Sequence, residues 1–193
     1  MTFYHPRIEY ENYPTDLDLL EDIGENKYLE FALSFDRGYS IKEVQQMLPG
    51  QVKIAWYWVD TYSEQELAKM KGQQAKLVGP DGQPSGETYY QKPQVLFAKQ
   101  VYGIKAITSN GENRIEPWDD FIKVINIGRQ RKGRYQEQFK NLYNVLNHGK
   151  GEISKDDLKI IGAVVTGDTA SLKQLRNNSC IKAQTLGIQI DKF

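Results

Sequence analysis

The chain carries the same pattern, a strand, a helix and a second strand, near each of its two ends. The first unit covers residues 28–62 and the second covers residues 159–190. A short helical crossover places the two strands that it joins parallel to each other, usually with a right-handed connection. Two such units interleave naturally into one sheet. The pattern therefore predicts an α+β fold, a ferredoxin-like split βαβ pair.

Side-chain alternation defines the strands of the first unit. In the strand at 28–35, every second residue is apolar, which predicts one buried face. The strand at 52–62 is apolar on both faces, which indicates cover on both sides. Strict alternation predicts that four of its residues share one face: Val52, Ile54, Trp56 and Trp58.

Helix starts are marked by residues that cap free backbone amides. Ser40 and Ser63 are each followed three residues later by Glu, the pattern of a capping box. Asp168 follows the strand at 160–166 and is predicted to cap the helix of the second unit. Ser40 and Asp168 predict where the crossover helix of each unit begins, and Ser63 predicts the start of a helix in the residues that follow the first unit.

The remaining residues are assigned to an N-terminal arm and an insertion. Pro6 and Pro14 argue against a continuous helix, so residues 1–27 are predicted to form an arm. One helical turn over Thr15–Leu20 and an extended arm that lies on the body are equal alternatives. Residues 28–190 are predicted to form a single α+β domain, with a mostly helical insertion at 63–158. Within it, 79–86 is a loop by composition, and 95–107 suits either a strand or a helix.

Composition restricts the function classes. The 193 residues include 25 basic and 25 acidic side chains, so net charge gives no case for nucleic-acid binding. No run of 18 apolar residues occurs, so no membrane-spanning helix is predicted. Cys180 is the single cysteine, which excludes an intrachain disulfide and a cysteine metal cluster. We expect neither a metal nor a cofactor.

Two surfaces are predicted as sites for a ligand or partner. An aromatic group (Trp56, Tyr57, Trp58 and Tyr62) suits a sugar or peptide, although alternating aromatic residues on a strand more often form a core. A basic group (Arg129, Arg131, Lys132 and Arg134) suits phosphate-bearing polymers or headgroups, although charge runs are more often solvated loops. Both interpretations stay open for each group.

Catalytic signals are weak. His5 and His148 are the two histidines, and neither is an obvious base or part of a zinc site. The sequence has no Gly-x-Ser-x-Gly nucleophile elbow, and no acid–base pair occurs at motif spacing. We therefore predict that the chain is not an enzyme, and keep a small hydrolase as the least favoured hypothesis.

Several segments of the two units resemble the sigma factor regulator C-terminal domain. The first unit contributes Phe31–Asp36, Tyr39–Val44, Leu48–Pro49 and Val52–Thr61. The second contributes Gly162–Gly167, Leu172, Leu175 and Ile181–Gly187. The similarity covers both ends of residues 28–190, whereas the middle is only loosely similar.

The resemblance implies a function outside the cell. Such domains are the extracytoplasmic parts of membrane-bound anti-sigma factors in Gram-positive bacteria, and they resemble sensors. It implies a non-catalytic sensory domain at the outer face of the plasma membrane. The chain would then be a fragment of a longer protein. That protein would contact its sigma factor through an N-terminal segment and the membrane through an anchor, both of which are absent from this chain. The alternative is a binding module for a cell-wall polymer or an envelope protein. No nucleic-acid partner is expected.

Overall fold

A computed structural model describes residues 1–78 and 82–192 of the chain. Residues 79–81, which belong to the predicted loop at 79–86, lie outside the described residues. The strands, in chain order, are β1 (Thr2–Phe3), β2 (Lys27–Tyr39), β3 (Lys53–Val59), β4 (Gln73–Val78), β5 (Pro84–Gln91), β6 (Leu96–Phe97), β7 (Gly103–Lys105), β8 (Ile160–Asp168) and β9 (Ile181–Asp191). The α-helices are α1 (Leu20–Ile23), α2 (Ile41–Met47), α3 (Glu64–Met70), α4 (Pro117–Gln130), α5 (Gln136–Leu146) and α6 (Thr169–Lys173).

The central sheet has five strands in the order β7-β3-β8-β2-β9, and each neighbouring pair is antiparallel. Strands β2 and β3 therefore run parallel to each other, with β8 between them. Strands β8 and β9 are likewise parallel, with β2 between them. The α+β class is confirmed, and the strands of the two units alternate across four of the five positions.

One face of the sheet carries the larger core. Phe31, Tyr57 and Ala163 lie on it and belong to the same apolar cluster as residues of α2, α4, α5 and α6. The helices begin where the sequence predicts. Ser40 and Ser63 both form complete capping boxes, and Asp168 accepts a hydrogen bond from the Ser171 amide at 2.9 Å.

The other face is covered by the N-terminal arm and by the first part of the insertion. Its cluster contains Phe3 and Ile8 from the arm, Leu67 from α3 and Trp58 from the sheet. The arm is held by pairing of β1 with β6 and by the Tyr4 amide, which donates to the Ser34 hydroxyl. The arm therefore supplies core side chains to this face.

Two expectations were wrong in detail. A β-bulge at Ala55 places Ile54 opposite Val165 and Trp56 opposite Val164, so Ile54 and Trp56 lie on opposite faces. The insertion is also less helical than predicted. It includes the β4–β5 hairpin and strand β7, which joins the central sheet, and its long helices are confined to α4 and α5.

Candidate functional site

A cleft of about 790 Å³ lies at one end of the central sheet. Because β2 and β3 are antiparallel to β8, the last residues of β2 and β3 meet the first residues of β8 there. The arm and the end of α5 form the other walls. His148 lines the cleft together with these charged side chains: Arg7, Asp36, Arg37, Asp60, Glu64, Asp157 and Lys159.

His5 belongs to the N-terminal arm, lies behind this cleft and is fully buried. Its Nδ1 accepts a hydrogen bond from the Arg7 amide at 3.2 Å, so the neutral ring carries its proton on Nε2. Nε2 then donates to the Asp60 carboxylate at 3.3 Å. Both ring nitrogens are occupied by the protein, and the imidazole has no free nitrogen to act as a general base.

The four carboxylates of the cleft all have partners. Besides the His5 contact, the Asp60 carboxylate accepts from the Tyr62 amide, and Asp36 accepts from the Tyr39 hydroxyl at 2.6 Å. Glu64 pairs with Arg7 at 2.5 Å, and Asp157 with Lys150 at 2.7 Å. The hydrogen bond from Lys150 lowers the pKa of Asp157. Glu64 and Asp157 are therefore paired with cations, whereas Asp36 and Asp60 are hydrogen-bonded by neutral donors.

Two cations of the cleft are exposed and lack a direct ion pair. Among the described residues, Arg37 and Lys159 form no ion pair, and both are exposed. The Arg37 guanidinium lies over the Tyr39 ring, 4.3 Å from its centroid, and a hydrogen bond to Tyr39 raises the pKa of Arg37. Burial raises the pKa of Tyr39, so this phenol stays neutral, and the carboxylates of Asp36 and Glu43 supply the negative charge near Arg37. Arg37 and Lys159 are therefore the side chains of the cleft that are open to an anionic group, such as a carboxylate or a phosphate.

His148 lies on the opposite wall of the cleft and is exposed. Its backbone φ of 48° is the left-handed value that ends α5, and glycines follow at 149 and 151. His148 and His5 do not form a shared site, and among the described residues no group of three His, Cys, Asp or Glu side chains is placed to hold a metal.

The predicted aromatic group does not form an exposed surface. Tyr57 and Trp58 are buried on opposite faces of the sheet, and the Tyr57 hydroxyl accepts from the Gln45 amide. Trp56 is half-buried and packs edge-to-face on Phe3. Tyr62 lines the cleft, but its hydroxyl donates to the Gln100 carbonyl. Of the four, only Tyr62 borders the cleft.

The predicted basic group is divided by the structure. The Arg129 guanidinium stacks on the Tyr143 ring at 3.8 Å and donates to Asn126, so this side chain is held against α5. Arg131, Lys132 and Arg134 are exposed at the turn between α4 and α5. Three of the four predicted cations therefore share a surface.

Arg37 and Lys159 were missed by the sequence interpretation. They lie more than a hundred residues apart in the sequence. Arg37 is near the end of β2 and Lys159 directly precedes β8, so only the interleaving of the two units brings them to the same cleft. The available signal was that a charged residue directly follows or precedes an apolar strand in both units. That signal is weak, because strand ends are commonly charged.

Comparisons with known proteins give one match. A family model described as sigma factor regulator C-terminal matches residues 20–188. This span includes all five strands of the central sheet, except the last residues of β9. No curated protein and no solved structure matches the chain. In the described part of the chain, no helix is long and apolar enough to cross a membrane.

Proposed function

Because the chain belongs to the sigma factor regulator C-terminal family and has a role in anti-sigma factor regulation, we propose that it is a sensory domain outside the cytoplasm. In this proposal, it is the non-catalytic ectodomain of a membrane-anchored anti-sigma factor that controls an extracytoplasmic-function sigma factor. Contact with the sigma factor is made by an N-terminal segment of the full protein. The observation that carries the proposal is the family match over residues 20–188.

The use of titratable groups supports a binding role over a catalytic one. His5 is committed to Arg7 and Asp60, and the cleft carboxylates are committed to Arg7, Lys150 and Tyr39. A general base must reach the proton that it removes, and each of these groups is held by its partners, which leaves His148 as the exposed imidazole of the cleft. Arg37 and Lys159, which form no ion pair with a described residue, are open to a ligand.

The sensing mechanism that we propose uses this cleft. An anionic group of an envelope ligand binds at Arg37 and Lys159, which are exposed and form no ion pair with a described residue. The ligand changes the regulator only if it binds one of two conformations more tightly than the other. Residues of the arm, of both βαβ units and of α5 line the cleft, so a ligand that is bound there lies beside all four of these parts.

A reporter of sigma-dependent transcription tests the proposal in cells that carry the full-length regulator. Lys159→Glu and Arg37→Glu each reverse the charge of an exposed cation that lines the cleft. Because these variants should no longer bind the anionic group, we expect a changed transcriptional response to envelope stress. Lys42→Glu is the matched control, because Lys42 is an exposed cation on α2 without a described ion pair. Removal of residues 28–190 must alter the response more strongly. An unchanged response after that removal contradicts sensing by this domain.

The second candidate is a binding module for an anionic cell-wall polymer, or for an acidic envelope protein. The exposure of Arg37 and Lys159, which form no ion pair with a described residue, favours it. Calorimetric titration of the purified chain with teichoic acid, which is rich in phosphate, measures this directly. We expect binding that weakens with salt and with Lys159→Glu. Binding that is equally tight for the Lys159→Glu variant excludes the cleft as the site.

A further inference from the structure

A groove of about 380 Å³ lies between the side chains of α4 and α5, near the turn that joins the two helices. Its apolar lining comes from Val124, Ile127 and Phe139. Val124 and Ile127 are 53% and 43% exposed, so two large aliphatic side chains on one side of α4 face solvent. Adjacent exposed aliphatic residues in a groove are typical of a surface that contacts a membrane or another apolar partner.

Three cations border this groove. Arg131, Lys132 and Arg134 line it, are exposed, and form no ion pair with any described residue. Residues 128–136 contain no aspartate or glutamate, and Glu137, which follows, pairs with Lys140 at 2.6 Å. Tyr135 is 57% exposed beside them. The groove therefore combines an apolar lining with an uncompensated positive border and an exposed aromatic ring.

The groove offers little to an extended peptide. Both walls are helices, whose backbone groups are bonded internally, so no strand can be added there. The one amide side chain in the lining, Gln136, donates to the Arg129 carbonyl. A lipid surface needs no such directional hydrogen bonds. Aliphatic, aromatic and basic side chains on one surface are the composition of proteins that bind the membrane interface.

We propose that this end of the α4–α5 hairpin docks on an anionic lipid surface. Val124, Ile127 and Phe139 contact acyl chains, while Arg131, Lys132 and Arg134 contact headgroup phosphates. The proposal goes beyond the regulatory role and rests on the groove alone, so either can fail without the other. It commits the surface to lipid, with an acidic amphipathic peptide as the competing occupant.

Vesicle co-sedimentation of the purified chain tests the proposal. Vesicles of equimolar phosphatidylcholine and phosphatidylglycerol are compared with vesicles of phosphatidylcholine alone. We expect the chain to bind the anionic vesicles, and salt to weaken binding. Replacement of the three cations, Arg131→Gln, Lys132→Gln and Arg134→Gln together, should weaken binding on the order of a hundredfold, since each basic residue near such a surface contributes about fivefold.

The matched control carries Lys42→Gln, Lys69→Gln and Lys99→Gln, three exposed lysines without described ion pairs on other elements. It loses the same charge and should keep most of the binding. Ile127→Asn should weaken binding about threefold to tenfold, because less apolar surface enters the interface. Circular dichroism of each variant checks that the fold is intact.

Three results would overturn the proposal. The first is equal binding to both kinds of vesicle. The second is an equal loss in the control triple variant and in the groove triple variant. The third is the absence of vesicle binding together with tight, Arg131-dependent binding of an acidic amphipathic peptide, which would assign the groove to a protein partner.

Discussion

At the scale of single residues, the two histidines of the chain show how differently one side chain can be used. His5 is buried with both ring nitrogens hydrogen-bonded, and it holds the arm against the end of β3 through Asp60. His148 is exposed in a left-handed turn. A buried group that loses its partner costs far more free energy than an exposed one.

We expect His5→Asn to lower the free energy of unfolding by about 2–4 kcal/mol, because it leaves a cavity and unpaired groups at Asp60 and Arg7. His148→Asn is the control, since asparagine also tolerates a left-handed backbone, and it should change stability by less than about 0.5 kcal/mol. Urea unfolding of both variants measures the difference. Similar losses of stability in the two variants would show that His5 does not hold the arm against the end of β3.

Asp168 gives a prediction about pH. Hydrogen bonds from the Ser171 hydroxyl and amide, together with Lys192, lower the pKa of Asp168 from 3.8 to about 2. A lowered carboxyl pKa stabilises the fold above the unfolded pKa, and this contribution is lost as pH falls from about 4 to about 2. Asp168→Asn keeps the capping oxygen but lacks the charge.

We therefore expect the parent chain to lose more stability than Asp168→Asn as the pH is lowered through that window. Because Asp168 is one-third exposed, solvent screens the charge, and the excess loss should be about 1 kcal/mol. Urea midpoints at both ends of the window test this. Parallel pH profiles for the two proteins would assign acid sensitivity to other carboxylates.

At the scale of elements, the close approach of α4 and α5 depends on one glycine. A Cβ added at Gly128 would lie 2.3 Å from the Phe139 ring, so this ring packs directly on the α4 backbone. Phe139 also lines the groove assigned to lipid. The helix pair and the groove thus share one contact.

Gly128→Ala should destabilise the chain by about 1–3 kcal/mol, because the ring has to move. This holds although alanine is the better helix former by about 1 kcal/mol. Gly133→Ala is the control, since nothing lies within 4 Å of its added Cβ. Thermal unfolding of the pair gives the comparison. If Gly128→Ala were as stable as Gly133→Ala, the helices would not need that contact.

Elements are also the scale at which sequence interpretation worked best. The capping boxes at Ser40 and Ser63 are local signals, and both are formed. The bulge at Ala55 was missed because strict alternation assumes an uninterrupted ladder. The hairpin of β4 and β5 was missed because its residues are exposed on both sides and show no apolar face.

The candidate site was predicted less well than the fold. The aromatic residues were chosen for their chemistry, but Tyr57 and Trp58 serve the core, because β3 is covered on both faces and its last three residues are buried. The cleft is lined by Arg37, Asp60 and Lys159, which come from three strand ends. Such convergence follows from strand order, which local patterns do not encode.

At the scale of the whole molecule, the N-terminal arm contributes to the core of one sheet face. Phe3 is buried and packs edge-to-face on Trp58, with ring centroids 5.2 Å apart. On the paired strand, Phe97 is 53% exposed. The two phenylalanines therefore provide a matched test of whether the arm stabilises the domain.

We expect Phe3→Ala to cost about 3–5 kcal/mol and to shift tryptophan emission to longer wavelength, because Trp58 becomes hydrated. Phe97→Ala removes the same ring from a half-exposed site and should cost less than about 1 kcal/mol. Chemical unfolding followed by fluorescence measures both effects. Equal stability of the two variants would show that the arm is dispensable.

The place of β2 in the sheet has a consequence for how the chain is made. Strand β2 is synthesised before the helices and strands of the insertion, yet both of its neighbours in the sheet, β8 and β9, follow that insertion. Pairing over such sequence distances is slow, because a long loop must close first. The central sheet therefore cannot close until β8 and β9 have been synthesised, and until then the apolar side chains of β2 lack their partners on both neighbouring strands.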